Sequence, residues 1–256
     1  MRYRAMAIIL SIIRPVYIID INWITKLHGL FYVWCRKNRP SKFIVVQHGL
    51  YIGGIITDNA HKYSKCDIIF CWGKHSVKEF LRYNAGKQVE MVVWGNPLYN
   101  LYDRDKMSFK ETSGNRILVV PTVINGERKK ILEDFMVKSK ALDFEVCVKV
   151  HEYQSTLGEP LNGFQIIQGN LYEMLLKQEF DIIVSDISTS LIDALYFKNK
   201  TLFFSPEGDM PEYINNVYAD YLQNIRYVYQ SFTTKEQVLA CIDINRQEKL
   251  LKYMVS

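Results

Sequence analysis

The sequence lacks most of the short signatures by which common chemistries can be read. It has no GxxxxGK[ST] phosphate loop, no GxGxxG, no HExxH and no Cys/His metal spacing. Support is thereby removed from P-loop ATPases, simple dinucleotide-dependent dehydrogenases and zinc hydrolases. Cysteine is sparse. Cys35, Cys66, Cys71, Cys147 and Cys241 form no CxxC pair, and an odd count of five in 256 residues argues against a disulfide framework. A reducing cytoplasm fits best. Long apolar runs are missing as well: the stretch from Ala5 to Ile21 is interrupted by Arg14 and Pro15 and closed by Asp20. That is short of the roughly 20 residues a spanning helix needs. No small-residue cleavage site follows it, so the expectation is strands, not a membrane anchor or signal peptide, in a protein that stays inside the cell.

What is present is an apolar content of 48%, ample for a buried core. The net charge of +5 conceals an asymmetry. Residues 1–110 carry 17 Lys/Arg against 7 Asp/Glu, and residues 111–256 carry 15 against 20. A basic front half suits an anionic partner such as a phosphate-bearing lipid, a membrane surface or nucleic acid; dispersed solubilising charge is the plainer reading. Nucleic acid is disfavoured, because the basic residues are scattered, no reader motif is present and the acidic back half would repel a phosphate backbone.

Apolar runs rich in Ile and Val recur along the chain, and most are followed by a segment of helical spacing. Strands are expected in the front half at Ala7–Ile12, Val16–Ile21, Phe43–Val46, Ile68–Trp72 and Val89–Trp94, with helices at Trp23–Lys37 and His75–Tyr83. In the back half strands are expected at Ile117–Val120, Phe144–Val150, Phe164–Ile167, Asp181–Ser185 and Thr201–Phe204. Helices fit Glu127–Lys140, Leu171–Gln178, Thr189–Phe197 and Lys235–Ile242. Continuous rather than alternating apolar strands imply parallel sheets covered on both faces, and strand–helix alternation implies right-handed βαβ units. Tyr99–Asn115 has the composition of a linker, and the sign of the charge changes there. The domain boundary is therefore placed at about residue 110.

In such folds ligands bind beyond the carboxyl ends of the strands, which selects four segments. Gln47-His48-Gly49 follows a strand, and its histidine suits a general base toward a hydroxyl, or a turn histidine bonded to backbone. Lys149-Val150-His151 places a cation and an imidazole on one side of an extended chain, facing a phosphate or simply solvent. Ser185-Asp186-Ile187-Ser188-Thr189-Ser190 joins a strand to a helix. Its hydroxyls and first-turn amides suit a pyrophosphate, while Ser190 and Asp193 have the spacing of a capping box. Trp94-Gly95-Asn96-Pro97 is a tight turn that contributes backbone to a site or only closes a strand.

In their order along the chain these segments resemble the GT-B superfamily, and within it the CDP-glycerol glycerophosphotransferase-like and capsule-type glycosyltransferases. The residues carrying the resemblance are Gln47-His48-Gly49, Cys66-Asp67 through Gly73, Gly95-Asn96-Pro97, Lys149-x-His151, Ser185 to Ser190, and Phe203-Phe204-Ser205-Pro206. It covers roughly residues 43–215, and Glu152 stands where the family usually has proline. The resemblance implies an α/β protein of two Rossmann-like, doubly wound parallel-sheet domains facing a cleft, the front one short: an acceptor-side domain (1–110) and a nucleotide-donor domain (111–256). It implies that His48 activates an acceptor hydroxyl beside an acceptor-side loop of Gln47, Gly49, Gly95 and Asn96. Lys149, His151, Ser188, Thr189 and Ser190 would hold the donor phosphates, and Glu207 and Asp209 the nucleoside or sugar. No cofactor or metal is required in that scheme. The implied partners are a nucleotide-diphosphate donor and an anionic, lipid-linked or polysaccharide acceptor at the inner membrane surface. A non-hydrolysing nucleotide-sugar epimerase and a non-catalytic scaffold of polysaccharide assembly are the rival readings.

Overall fold

A computed structural model of the chain describes residues 2–21, 26–38, 40–49, 65–84, 88–109, 115–121, 126–150, 163–185, 188–204, 226–227 and 232–255. His151, Glu207 and Asp209 lie outside the described residues. The chain forms two units, one of Met1–Tyr102 with Tyr253–Ser256 and one of Asp103–Lys252. The break thus falls a few residues before the position expected from composition, and the last four residues group with the first unit.

The first unit contains α1 (Arg2–Ile13), β1 (Tyr17–Asp20), α2 (Lys26–Lys37), β2 (Lys42–Val46), β3 (Ile68–Cys71), α3 (Lys74–Asn84) and β4 (Glu90–Val93). Its sheet is parallel throughout, in the order β1-β2-β3-β4. Ile18, Phe43, Val45, Ile69 and Cys71 project from one face into a core shared with Leu10 of α1, Trp34 and Cys35 of α2 and Phe80 of α3. The strand expected at Ala7–Ile12 is instead the body of α1. Periodicity cannot separate a short apolar run in a strand from one in a helix. Here the good helix formers Ala5, Met6, Ala7 and Leu10 extend the segment to 12 residues, and Ser11 Oγ donates to the Ala7 carbonyl at 2.8 Å.

The second unit contains β5 (Arg116–Val120), α4 (Gly126–Ala141), β6 (Glu145–Val148), β7 (Gln165–Ile166), α5 (Leu171–Lys177), β8 (Ile182–Ser185), α6 (Thr189–Tyr196), β9 (Lys200–Phe204), β10 (Arg226–Tyr227), α7 (Lys235–Ala240) and most of α8 (Ile244–Val255). All pairings are parallel, in the order β10-β9-β8-β5-β6-β7. Counted within this unit the order is 3-2-1-4-5-6, that of Rossmann sheets. The four residues of β8 are all buried, as are the last four of β5. Ile117, Val119, Ile182, Val184 and Leu202 pack with Leu132, Phe135 and Met136 of α4. The intervening Leu118 and Ile183 are equally buried. Continuous apolar strands are thus read correctly as strands covered on both faces.

One device recurs in both sheets. Asp67, just before β3, accepts the Phe43 amide of β2 at 2.8 Å. Asp181, just before β8, accepts the amides of Asn115 and Arg116 at 2.8 and 3.0 Å. The repeated Asp-Ile-Ile therefore begins a strand whose carboxylate staples the amino end of its neighbour.

Helix α8, which the sequence reading does not reach, buries Gln247, Leu250, Leu251 and Met254 at i, i+3, i+4 and i+7 spacing. Its end rests on Gly73, where an added Cβ would stand 2.5 Å from the Met254 carbonyl oxygen and 3.0 Å from the Val255 Cα. Backbone cannot yield as a flexible side chain would. Gly73→Ala is expected to destabilise the first unit by about 1–3 kcal/mol through overpacking, read as a lower urea midpoint with α8 amides exchanging first. An unchanged midpoint would refute this account of the glycine.

Candidate functional site

The chain leaves β5 toward β6 and β7 on one side and returns at β8 on the other, so the switch point lies between the carboxyl ends of β5 and β8. Ser185 ends β8 and is 1% exposed; Ser188, 7% exposed, opens α6. The Ser185 hydroxyl donates to the Val120 carbonyl at the end of β5 at 2.9 Å, and the two serine Oγ atoms are also 2.9 Å apart. A carbonyl cannot donate and a hydroxyl carries one proton, so the proton between the serines belongs to Ser188. The order is Ser188 to Ser185 to Val120, a chain of hydroxyls tying β8 and the start of α6 to the central strand.

This arrangement changes how the hydroxyl run works. Ser188 is the N-cap residue of α6, with φ −151° and ψ 168°, yet its side chain caps no amide because it is turned toward Ser185. The capping box suggested by Ser190 and Asp193 does not form, since the helix begins two residues earlier and Asp193 lies buried in its middle. Helix N-termini leave amides unsatisfied within the helix, and the aligned peptide dipoles favour an anion there. Half-buried Thr189 and Ser190 stand in that first turn. Ser188 itself offers only lone pairs to a ligand. Sequence reading missed Ser185 as the organising residue, although a hydroxyl ending a strand as apolar as Ile182-Ile183-Val184 must find a partner.

Lys149 follows β6, where its amide donates to the Val119 carbonyl of β5 at 2.9 Å, and its side chain is half-buried. The structure thus places it one strand from the switch point.

In the first unit Gln47, His48, Gly49, Gly95 and Asn96 all fall at the carboxyl edge of the sheet, beyond β2 and β4. Their roles divide. Gln47, 1% exposed, accepts the Trp72 amide at 2.7 Å and donates from Nε2 to the Gly49 carbonyl at 2.8 Å, while Trp72 Nε1 donates to the Gln47 carbonyl at 2.9 Å. It braces β2 against the chain leaving β3. His48 is exposed. Gly95 has φ +83°, a conformation that favours glycine, and buried Asn96 accepts the Leu98 amide at 3.0 Å to fix the turn. Cys35 and Cys71 are not poised as nucleophiles: burial pushes the Cys35 thiol up to about 11 and the Cys71 thiol to about 12, which favours the protonated form of both at neutral pH.

No family model and no curated protein sequence matches the chain. Solved structures do. A variant of the wall teichoic acid polymerase TagF superposes with a TM-score of 0.61 at 12% identity, covering 94% of this chain and 68% of that one. The fold is GT-B. The S. aureus MnaA–UDP co-structure gives 0.57 at 12% identity over 99% of this chain and 74% of that one. Acinetobacter baumannii MurG gives 0.53 at 11% identity over 98% and 72%. The GT-B architecture agrees with the two parallel sheets expected from the alternation of apolar runs and helical segments; cover on both faces holds for the central strands of the second sheet, whereas β1 of the first leaves Tyr17 and Ile19 exposed.

Proposed function

We propose that the chain is a transferase that moves a glycosyl or glycerol-phosphate group from a nucleotide-activated donor to a surface-polysaccharide or lipid-linked acceptor at the inner face of the membrane. The observation that carries this reading is the hydroxyl chain at the switch point, which turns the Ser188 side chain away from the helix and toward Ser185 and ties the first turn of α6 to the central strand, where Rossmann sheets bind phosphates. The second unit is the proposed donor side. The diphosphate accepts from the amides and hydroxyls of Thr189 and Ser190, with Ser188 holding the turn, and Lys149 and His151 neutralise charge. Glu207 and Asp209 serve the nucleoside or sugar. These donors stabilise the nucleotide leaving group electrostatically, so the scheme requires no metal. In the first unit His48 is the base for the acceptor hydroxyl, and the Gly95-Asn96 turn shapes the acceptor side. Among the similar solved structures, MnaA was determined with UDP and TagF was soaked with CDPG, which supports a nucleotide donor here.

Thermal-shift measurement against CDP, UDP, CMP, GDP and ADP tests the reading, since selective binding raises stability by mass action. One diphosphate is expected to raise Tm; silence with all five would sink the proposal. The hydroxyl chain adds a finer expectation. Ser188→Ala alone changes affinity less than about twofold, and Ser188→Ala with Thr189→Ala weakens it several-fold through the lost Thr189 donor. Ser185→Ala also weakens binding, although Ser185 touches no ligand in this scheme, because the released Ser188 hydroxyl turns to cap its own helix. Equal affinity in all three variants would remove the phosphate assignment. Similarity to epimerase structures favours a second reading, which conversion of a UDP-sugar without any acceptor would establish instead.

A further inference from the structure

Helix α1 is apolar on both sides. Leu10 and Met6 face the core of the first unit. At 100° per residue, positions 4, 5, 8 and 12 lie within about 60° of the direction opposite Leu10. Those positions are Arg4, Ala5, Ile8 and Ile12, and the two isoleucines are 62% and 75% exposed. Ile13, Val16 and Tyr17 continue the exposed apolar surface within five residues of Ile12, at 66%, 56% and 60%. A solvent-facing helix ordinarily reserves this side for polar residues. The charges nearby have one sign: residues 2–19 hold Arg2, Arg4 and Arg14 and no acidic residue. The first unit carries 14 Lys/Arg against 5 Asp/Glu, and the second 18 against 22.

We propose that the outer face of α1 lies in the interface of an anionic phospholipid membrane, with Ile8 and Ile12 at the acyl boundary and Arg4 and Arg14 at the phosphates. This names the contact element for the membrane side of the function proposed above and rests on that reading. Twelve residues at about 1.5 Å each reach roughly 18 Å, against a hydrocarbon core of about 30 Å, and no helix among the described residues is long and apolar enough to cross. Charge decides against a second copy of the chain, because self-association through this face would bring Arg4 and Arg14 toward their own counterparts, whereas anionic headgroups neutralise them. Apolar insertion combined with basic flanks is the pattern of interfacial helices.

The test is flotation of the full chain with vesicles of phosphatidylcholine alone and of phosphatidylcholine with phosphatidylglycerol, at low and high salt. Binding is expected only to the anionic vesicles and should weaken with salt. Replacing both residues, Ile8→Ser with Ile12→Ser, should weaken it roughly tenfold or more, since buried CH2 groups drive interfacial binding. Both positions are exposed, so thermal unfolding and the nucleotide-induced Tm shift of this variant should match wild type. Emission of Ile12→Trp should shift to the blue on adding anionic vesicles. Absence of binding at low salt, or equal binding by the serine variant, would overturn the proposal. So would a wild-type dimer in sedimentation that the serine substitutions dissociate, which would give the face to a second copy. The nucleotide response keeps the two readings apart: vesicle binding lost with the Tm shift intact refutes only the membrane face, and the converse refutes only the donor site.

Discussion

Asp181→Ala is expected to lower the stability of the second unit by about 2–4 kcal/mol, since hydrogen bonds to a charged acceptor contribute roughly 1.5–3 kcal/mol each and partial rehydration offsets some of the loss. One carboxylate oxygen takes two amides at the amino end of β5, the central strand on which both halves of the sheet are built. Asp181 is itself 9% exposed, so water only partly replaces it. Domains retain only about 5–15 kcal/mol in total, which makes this a large share. Asp181→Asn, which keeps one acceptor oxygen, should lose about half as much. Because two units need not unfold together, the decisive reading is amide exchange. The Asn115 and Arg116 amides should lose protection first in the alanine variant, while those of β2 and β3 are unaffected. Uniform loss of protection across both sheets would show that the staple is not local.

The same pair of aspartates shows what the sequence could convey and what it could not. That Asp67 and Asp181 each precede an Ile-Ile strand is plain from the letters, and strand positions follow from the runs of Ile and Val, because a strand buried on both faces has no polar side to hide. The target of each carboxylate is not plain. It is an amide on a neighbouring strand, 24 residues away for Asp67 and 66 for Asp181, fixed only by parallel register. Ser185 carries the same lesson into the candidate site: its partner is a carbonyl 65 residues earlier, and only that bond sets which serine donates. Helix α1 fails for a different reason. Its outward isoleucines erase the amphipathic period by which a helix is recognised, so the segment reads as a strand. The i, i+3, i+4, i+7 spacing of α8 is present in the letters, but it includes the polar Gln247 and lies beyond Ile242, where the expected helices stop. Gln47 and His48 are neighbours in sequence but not in role, since adjacent side chains of an extended chain point to opposite sides. One is sealed into the sheet edge while the other meets solvent.

His48 is therefore the residue on which the catalytic half of the proposed function stands, and His48→Ala is expected to lower kcat by about a hundredfold to ten-thousandfold, the usual worth of a positioned general base. Gln47 supplies the positioning. Its three hydrogen bonds fix the backbone that carries His48 to the loop formed by Gly49 and to Trp72. The nucleotide-induced Tm shift should be unchanged in His48→Ala, because the residues proposed to bind the donor phosphates belong to the other unit. A loss of kcat without a change in nucleotide affinity separates a role in the chemical step from a role in donor binding. Since His48 is exposed, added imidazole should restore part of the activity to His48→Ala. It should not restore Gln47→Ala, where the missing group is a brace rather than a base. That second variant should also unfold at a lower urea concentration, as the Trp72 amide and the Gly49 carbonyl lose their partners. Full activity in His48→Ala would move the base elsewhere and leave the carboxyl edge of the first sheet with a structural role alone.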